Sequence, residues 1–363
     1  MTLLLAGLLL GLAFGAAGRL GRLCLLRGLK GWRATRMNAH GADEGRALRA
    51  FALALAVAMA LTQALAWTGQ IDLAQAQVVR ASFAWPAVFL GGALFGVGMV
   101  MARSCGARAL VLLGGGNLRA LPVLLCLALA AQATLTGVLA PVRQALQGFG
   151  RVQLSHAMLP GWLAEAGLPP IGALLLAAGL PVLALLFFAL GRPILRRAPL
   201  EAVAAAAVGV LVAAGWWITA HVGVDPFEPA PLTSLSFIGP LAESTLFLQL
   251  AVGRAASVGA AIVAGTLLGA FIVALATRSW RLESFDNPRR MALAMAGGLL
   301  MGFGGVLAVG CSVGQGLSGL STLAIASLPA CAGIVAGTLA ALAVQDRVDP
   351  HPYKSPEFNT GEA

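Results

Sequence analysis

A ladder of glycines that ends on a cysteine occurs twice in this chain at identical spacing. The two copies consist of Gly92, Gly96, Gly98 and Cys105, and of Gly298, Gly302, Gly304 and Cys311. Small residues at this spacing let the backbone of a neighbouring helix approach closely. The repeat therefore predicts two equivalent, tightly packed helices, each followed by a cysteine at the same distance.

Two other segments keep part of the ladder. The opening of the chain has Gly11, Gly15 and Cys24 at the same offsets, with Ala17 in place of the third glycine. A segment that starts at residue 265 has two of the glycines, but Arg278 stands where the cysteine is expected. Three cysteines at one offset from a glycine pattern indicate a shared structural unit.

The composition indicates which solvent surrounds the chain. Of the 363 residues, 59% are hydrophobic and 10% are charged, and the mean hydropathy is +0.88. Soluble domains carry about 25% charged residues, so most of this surface is expected to face lipid. The Leu, Ala and Val runs do not alternate with polar residues, as strands of a membrane β-barrel would. We predict an all-α polytopic membrane protein, an inverted-repeat bundle of about nine spanning helices plus short or re-entrant helices.

The basic residues predict how the chain is oriented. There are 24 Lys and Arg against 14 Asp and Glu, and the excess lies in particular loops. By the positive-inside rule, residues 25–49, 191–201 and 278–290 face the cytosol. Residues 223–243 and the N-terminus then face outward. The pattern assigns neither segment 143–169 nor the side of the polar tail 346–363.

The C-terminal part contains an unusually long uncharged run. No charged residue occurs over the 55 residues from Met291 to Gln345, whereas two spanning helices need about 40. The excess consists of glycines and small polar residues around Cys311. Irregular backbone at membrane depth survives only where protein or a water-filled cavity surrounds it. We therefore predict a broken or re-entrant helix at Cys311; the alternative is a tight turn between two tilted helices.

The five cysteines form no CxxC pair, and the four histidines lie far apart, so we expect no metal site and no cofactor. Cys126 and Cys331 lie within apolar runs and are expected to pack as small hydrophobic side chains. The scattered basic residues form no patch with aromatics, which disfavours a nucleic-acid partner.

The cysteines that end the glycine ladders are the candidate binding residues, together with their neighbours. The full set is Cys24, Cys105, Cys311, Gly106, Arg108, Ser312 and Gln315. Apolar surroundings favour the neutral thiol, a weak and soft donor that suits brief binding of a polarizable anion. An enzyme that forms a persulfide would need a thiolate, and only Cys24 and Cys105 have basic neighbours. A membrane scaffold is a third possibility, but it would not explain why three cysteines follow glycine patterns at the same spacing.

Three stretches resemble the YeeE/YedE family of bacterial sulfur transporters. They are GLAFGAAGRLGRLCLLRG at the start, GGALFGVGMVMARSCGARALVLLGGGNLRAL from Gly91, and GGLLMGFGGVLAVGCSVGQGLSGLSTLAIASL from Gly297. GPLAESTLFL from Gly239 and GTLLGAFIVAL from Gly265 are also similar to segments of that family.

The resemblance implies thiosulfate uptake across the bacterial inner membrane. It also implies a fold built as an inverted repeat that narrows at its middle. It implies one transport domain with two pseudo-symmetric halves, about 1–190 and 191–345, and a path along Cys24, Cys105 and Cys311. A soluble sulfur-carrier protein of the TusA type is an expected cytosolic partner. Relatives have been linked to selenium and other sulfur compounds, so a selenium-compound transporter and a sulfane-sulfur transferase stay open as alternatives.

Overall fold

The computed structural model describes residues 2–36, 45–222, 231–253, 256–285 and 287–348. Four acidic loop residues used for orientation, Asp43, Glu44, Asp225 and Glu228, lie outside the described residues, as does the tail from position 349.

The described chain is almost entirely helical, which confirms the predicted fold class. Its α-helices are α1 Leu3–Gly21, α2 Leu25–Arg36, α3 Arg46–Trp67, α4 Trp85–Ala102, α5 Gly106–Gly114, α6 Ala120–Leu135, α7 Ala140–Gly148, α8 Leu159–Glu165, α9 Pro170–Leu174, α10 Leu180–Leu190, α11 Pro193–Arg196, α12 Pro199–His221, α13 Ile238–Gln249, α14 Val258–Ala276, α15 Pro288–Leu307 and α16 Ser327–Val348. A π-helical turn, Leu175–Gly179, joins α9 to α10, and a second π-helix, Gly314–Gly319, follows α15. Strands β1 Ser82–Ala84 and β2 Arg151–Gln153 form a small antiparallel pair.

Eight helical stretches in the described residues are long and apolar enough to cross a membrane, or nine if α6 and α7 count as one span bent by 64°. The prediction of about nine spans is thus confirmed. Helix α6 ends at Leu135, because the chain turns sharply there. The unassigned segment 143–169 contains most of α7, β2 and α8. The short apolar piece before position 253 belongs to α13, which at 12 residues is too short to span.

Helices α4 and α15 cross in an antiparallel, self-complementary contact made by glycines. A methyl group on Gly91 would lie 2.7 Å from the Gly304 carbonyl oxygen, and one on Gly304 would lie 2.6 Å from that of Gly91. Gly98 and Gly297 approach each other in the same reciprocal way, at 2.6 and 2.7 Å. The start of α4 therefore meets the end of α15 and the end of α4 meets the middle of α15, and any side chain at these positions would force the backbones apart.

The other ladder glycines pack each of these helices against a parallel partner. Gly92 and Gly96 of α4 lie against backbone atoms of α16, and Gly298 and Gly302 of α15 lie against those of α6. Because Gly298 and Gly302 occupy the same ladder positions as Gly92 and Gly96, the two contacts are equivalent. Helices α1 and α14 also pack in parallel, through glycines at both surfaces.

The loops gather at two opposite ends of the bundle, since each spanning helix joins one set of loops to the other. At one end Arg19 donates to Ser279 Oγ at 2.8 Å, and Arg33 and Arg46 pair with Asp346 and Glu201 at 2.8 and 3.6 Å. This end, which we call the basic end, carries the three arginine-rich loops. At the opposite end the backbone N–H of residue 77 donates to the residue 232 carbonyl at 3.3 Å.

The glycine contacts lead to a stability prediction. Gly302→Ala places a methyl group against the backbone of α6, so we expect about 1–3 kcal/mol of destabilisation and a lower thermal midpoint in detergent. Gly179→Ala is the matched control, because a methyl group there meets no atom within 4 Å and its φ of −64° is ordinary for alanine. Equal midpoints for the two variants would contradict the role given to the ladder.

Candidate functional site

The helix preceding each candidate cysteine is interrupted two residues before it. Arg22, Arg103 and Val309 adopt left-handed backbone conformations with φ of 48°, 57° and 60°. Non-glycine residues rarely adopt this conformation, and it stops an α-helix. The repeated sequence spacing therefore reflects a repeated structural break, which confirms the interrupted helix predicted at Cys311.

Each cysteine then begins the next helical segment. The carbonyl oxygens of Cys24, Cys105 and Cys311 accept bonds from the N–H groups four residues later, at 3.1, 2.8 and 2.7 Å. The three thiols consequently stand at helix N-termini, where free N–H groups and the helix dipole favour negative charge. The Gly314 N–H donates to Cys311 Sγ at 3.3 Å.

Cys24 and Cys105 meet in one small cavity of about 20 Å³, which we call the thiol cavity. Both thiols are free and buried, and they interact with each other. The Ser312 hydroxyl, which follows the later glycine ladder in the sequence, interacts with the Cys105 thiol at the end of the earlier ladder. Arg108 also lines this cavity and donates from Nη1 to the Gly18 carbonyl at 3.3 Å. Four of the predicted residues are therefore brought together: two thiols, a hydroxyl and a guanidinium.

A second cavity of about 60 Å³ lies toward the end opposite the basic loops, and we call it the hydroxyl cavity. Its polar lining includes Thr233, Ser234, Ser236 and Ser318. None of these four residues belongs to the set of candidate binding residues predicted from the sequence. A possible signal was the uncharged hydroxyl-rich stretch TSLS at 233–236, which comes just before the short helix α13.

Cys311 lies between the two cavities. Its neighbours Ser312 and Val313 line the thiol cavity, whereas Val309 and Gly314 line the hydroxyl cavity. Cys311 itself is 0% exposed and lines neither cavity. The interrupted segment around this cysteine is thus the wall that separates them.

The other predicted residues lie near this wall without lining a cavity. Gly106 is the first residue of α5 and packs near Leu127. Gln315 is buried, and its Nε2 donates to the Ala308 and Val309 carbonyls at 2.9 and 3.1 Å, which holds the chain at the break. Cys126 and Cys331 line neither cavity.

Comparison with known proteins identifies the family. A family profile described as sulphur transport matches residues 20–340, which include all three ladder cysteines. The chain is also 26% identical over 333 residues to "Thiosulfate transporter TsuA" of Escherichia coli (strain K12), an alignment that covers 87% of each protein. These matches agree with the prediction of a transporter rather than an enzyme. The chain is a multi-pass membrane protein that belongs to the sulphur transport family.

Proposed function

We propose that this protein takes up thiosulfate, or a closely related small sulfur-containing anion, across the bacterial inner membrane. Two comparisons support the substrate class: the family is one of sulphur transport, and the similar protein from Escherichia coli is named a thiosulfate transporter. The observation that carries the proposal is the position of Cys311 between a hydroxyl cavity and a thiol cavity.

The substrate path runs from the hydroxyl cavity, past Cys311, to the thiol cavity and the basic end. Hydroxyl groups hydrogen-bond the anion first, and the Cys311 thiol then offers a weaker donor at the narrowest point. Cys24 and Cys105 receive the anion at the N-termini of α2 and α5, beside the Arg108 guanidinium. Thiols suit this role because they bind weakly, and conduction requires sites that release the ion again. Gly106 and Gln315 act on this path by shaping the backbone at the two breaks.

The path is closed in the described conformation. The thiol cavity has room for about one water molecule, so it is too small for a five-atom anion. Passage therefore requires the wall around Cys311 to move. The left-handed residue Val309 and the glycines on both sides of it, Gly305 and Gly310, are the points at which this segment can bend.

The pseudo-symmetric halves, about 1–190 and 191–345, give this path its shape in our proposal. The reciprocal contact between α4 and α15 supports an inverted relation between the two breaks, with their cysteines meeting from opposite directions. The basic end faces the cytosol, with the N-terminus outside and the start of the tail, at Asp346, inside. A TusA-type sulfur carrier would receive the sulfur at this end.

The proposed orientation can be tested by labelling single cysteines in a cysteine-free variant. Ser284→Cys lies in the loop before α15 at the basic end, and Ser155→Cys lies at the opposite end; both positions are exposed. In intact cells an impermeant maleimide should label Ser155→Cys but reach Ser284→Cys only after permeabilisation. The reverse pattern would overturn the orientation.

Transport can be tested by uptake of radiolabelled thiosulfate into proteoliposomes. Cys105→Ala and Cys311→Ala should each lower the initial rate roughly tenfold or more, because each removes a donor from the narrow path. Cys126→Ala and Cys331→Ala are matched controls, because these thiols lie within α6 and α16 rather than at a helix break and line neither cavity, and both variants should keep the parent rate. Parent-level uptake by the double variant of Cys105 and Cys311 would refute the path.

The same assay separates hydrogen bonding from covalent chemistry. Cys311→Ser keeps a donor and should retain part of the uptake that Cys311→Ala loses. If the thiol instead formed a persulfide, serine would be as inactive as alanine, and mass spectrometry after thiosulfate exposure would find an added sulfur atom. Competition by sulfate, selenite and tetrathionate then distinguishes thiosulfate from selenium compounds and other anions.

A further inference from the structure

We propose that a sodium ion binds beside Gly319, held by oxygen atoms of Gln315, Ser327 and Gly314, and that it accompanies the anion. The coupling part of this inference rests on the proposed transport function, whereas the binding part does not. The site lies on the π-helix that follows Cys311, and one of its proposed ligands, Gly314, also lines the hydroxyl cavity.

The first observation is an unsatisfied amide oxygen. Both N–H groups of the Gln315 side chain are committed to backbone carbonyls, those of Ala308 and Val309. This settles the orientation of the amide, since a carbonyl oxygen could not face those acceptors. Gln315 Oε1 has no hydrogen-bond partner among the described residues, although the side chain is only 2% exposed.

A second unsatisfied oxygen lies against the same glycine. Ser327, at the start of α16, is 0% exposed, and its Oγ likewise lacks a partner within the described part of the chain. A methyl group on Gly319 would lie 2.5 Å from Ser327 Oγ, 2.6 Å from Gln315 Oε1 and 3.3 Å from the Gly314 carbonyl oxygen. Three oxygens from three positions thus converge where Gly319 has no side chain.

The equivalent positions in the first half show that the fold does not need these polar groups. Counted from the cysteines, Gln315, Gly319 and Ser327 correspond to Ala109, Leu113 and Leu121. The same break after Cys105 is therefore built from apolar residues on an α-helix, whereas the break after Cys311 uses a π-helix. Single-turn π-helices occur frequently at functional sites.

The chemistry of the converging atoms favours a small cation. Two of the three oxygens, the amide and the backbone carbonyl, can only accept, so the guest must supply positive charge or hydrogens. Interrupted membrane helices commonly hold Na⁺ through backbone carbonyls and neutral side-chain oxygens. Uptake of a dianion into a negatively charged cell also requires charge compensation, and a monovalent cation bound one turn from Cys311 offsets one of the two negative charges.

Binding can be measured on the purified full-length protein without any transport. In the parent, the thermal midpoint should rise as NaCl replaces choline chloride at constant ionic strength, and KCl should have a smaller effect. Ser327→Ala removes one oxygen, and Gly319→Ala fills the space, so both should lose the Na⁺-dependent rise. Thr134→Val is the matched control: it removes a buried hydroxyl whose partner is the carbonyl of Ala130 in its own helix, and it should keep the rise.

Two outcomes would overturn the site. One is a parent midpoint that is the same in NaCl and choline chloride, as expected if the guest is only a water molecule. The other is a full Na⁺ response in both Ser327→Ala and Gly319→Ala, with size-exclusion chromatography showing that the variants are folded.

Coupling is measured separately, by thiosulfate uptake into proteoliposomes with an inward Na⁺ gradient or with choline. The gradient should accelerate uptake by the parent and by Thr134→Val but not by Ser327→Ala. Equal uptake in Na⁺ and choline would refute coupling. No thiosulfate uptake under any condition, with the Na⁺-dependent midpoint intact, would refute the proposed transport function and leave the ion site standing.

Discussion

The antiparallel contact between α4 and α15 is the constraint on which the rest of the structure depends. Helices in lipid gain little from hiding apolar surface, so close backbone packing must stabilise their association. Here two glycine pairs bring the backbones together, and equivalent glycines attach α16 and α6 on the outer sides. Because the contact is reciprocal, it fixes where the break at the end of each helix lies relative to the other. Cys105 and Ser312, from different halves of the chain, meet for this reason.

The breaks carry a local cost that the surrounding packing has to offset. A left-handed residue other than glycine costs about 1–2 kcal/mol, and Arg22, Arg103 and Val309 each adopt this conformation. Each of these three breaks exposes the N-terminus of a new helical segment inside the protein, with a cysteine just before the start of that segment. A continuous helix would direct all of its free N–H groups to the membrane surface instead. The strain at these three residues therefore coincides with places where buried backbone can attract an anion.

Much of this arrangement could be predicted from residue spacing, because glycine ladders and charge-free runs act locally. The spans, the ladder helices and the break at Cys311 were all predictable in this way. The meeting of the Cys24 and Cys105 thiols was not, since it depends on how α1 and α5 pack after 80 intervening residues. The structural role of Gln315 was not predictable either. Its proximity to Cys311 in the sequence suggested contact with the substrate, but its side-chain amide donates to two backbone carbonyls. The hydroxyl cavity was not predictable, because Thr233, Ser234 and Ser236 fall within segment 223–243, which the charge pattern assigns to an outward-facing loop.

The direction of transport cannot come from the path itself. Each negative charge that moves into a cell at an inside-negative potential costs about 2.3 kcal/mol per 100 mV, so a dianion costs about twice that. Tighter binding by the thiols or by Arg108 does not remove this cost, because it slows release by as much as it favours arrival. The two cavities have unlike linings, with hydroxyls on one side of Cys311 and thiols on the other. That asymmetry can order the binding steps, but only a coupled cation or the consumption of sulfur inside the cell can make uptake proceed inward.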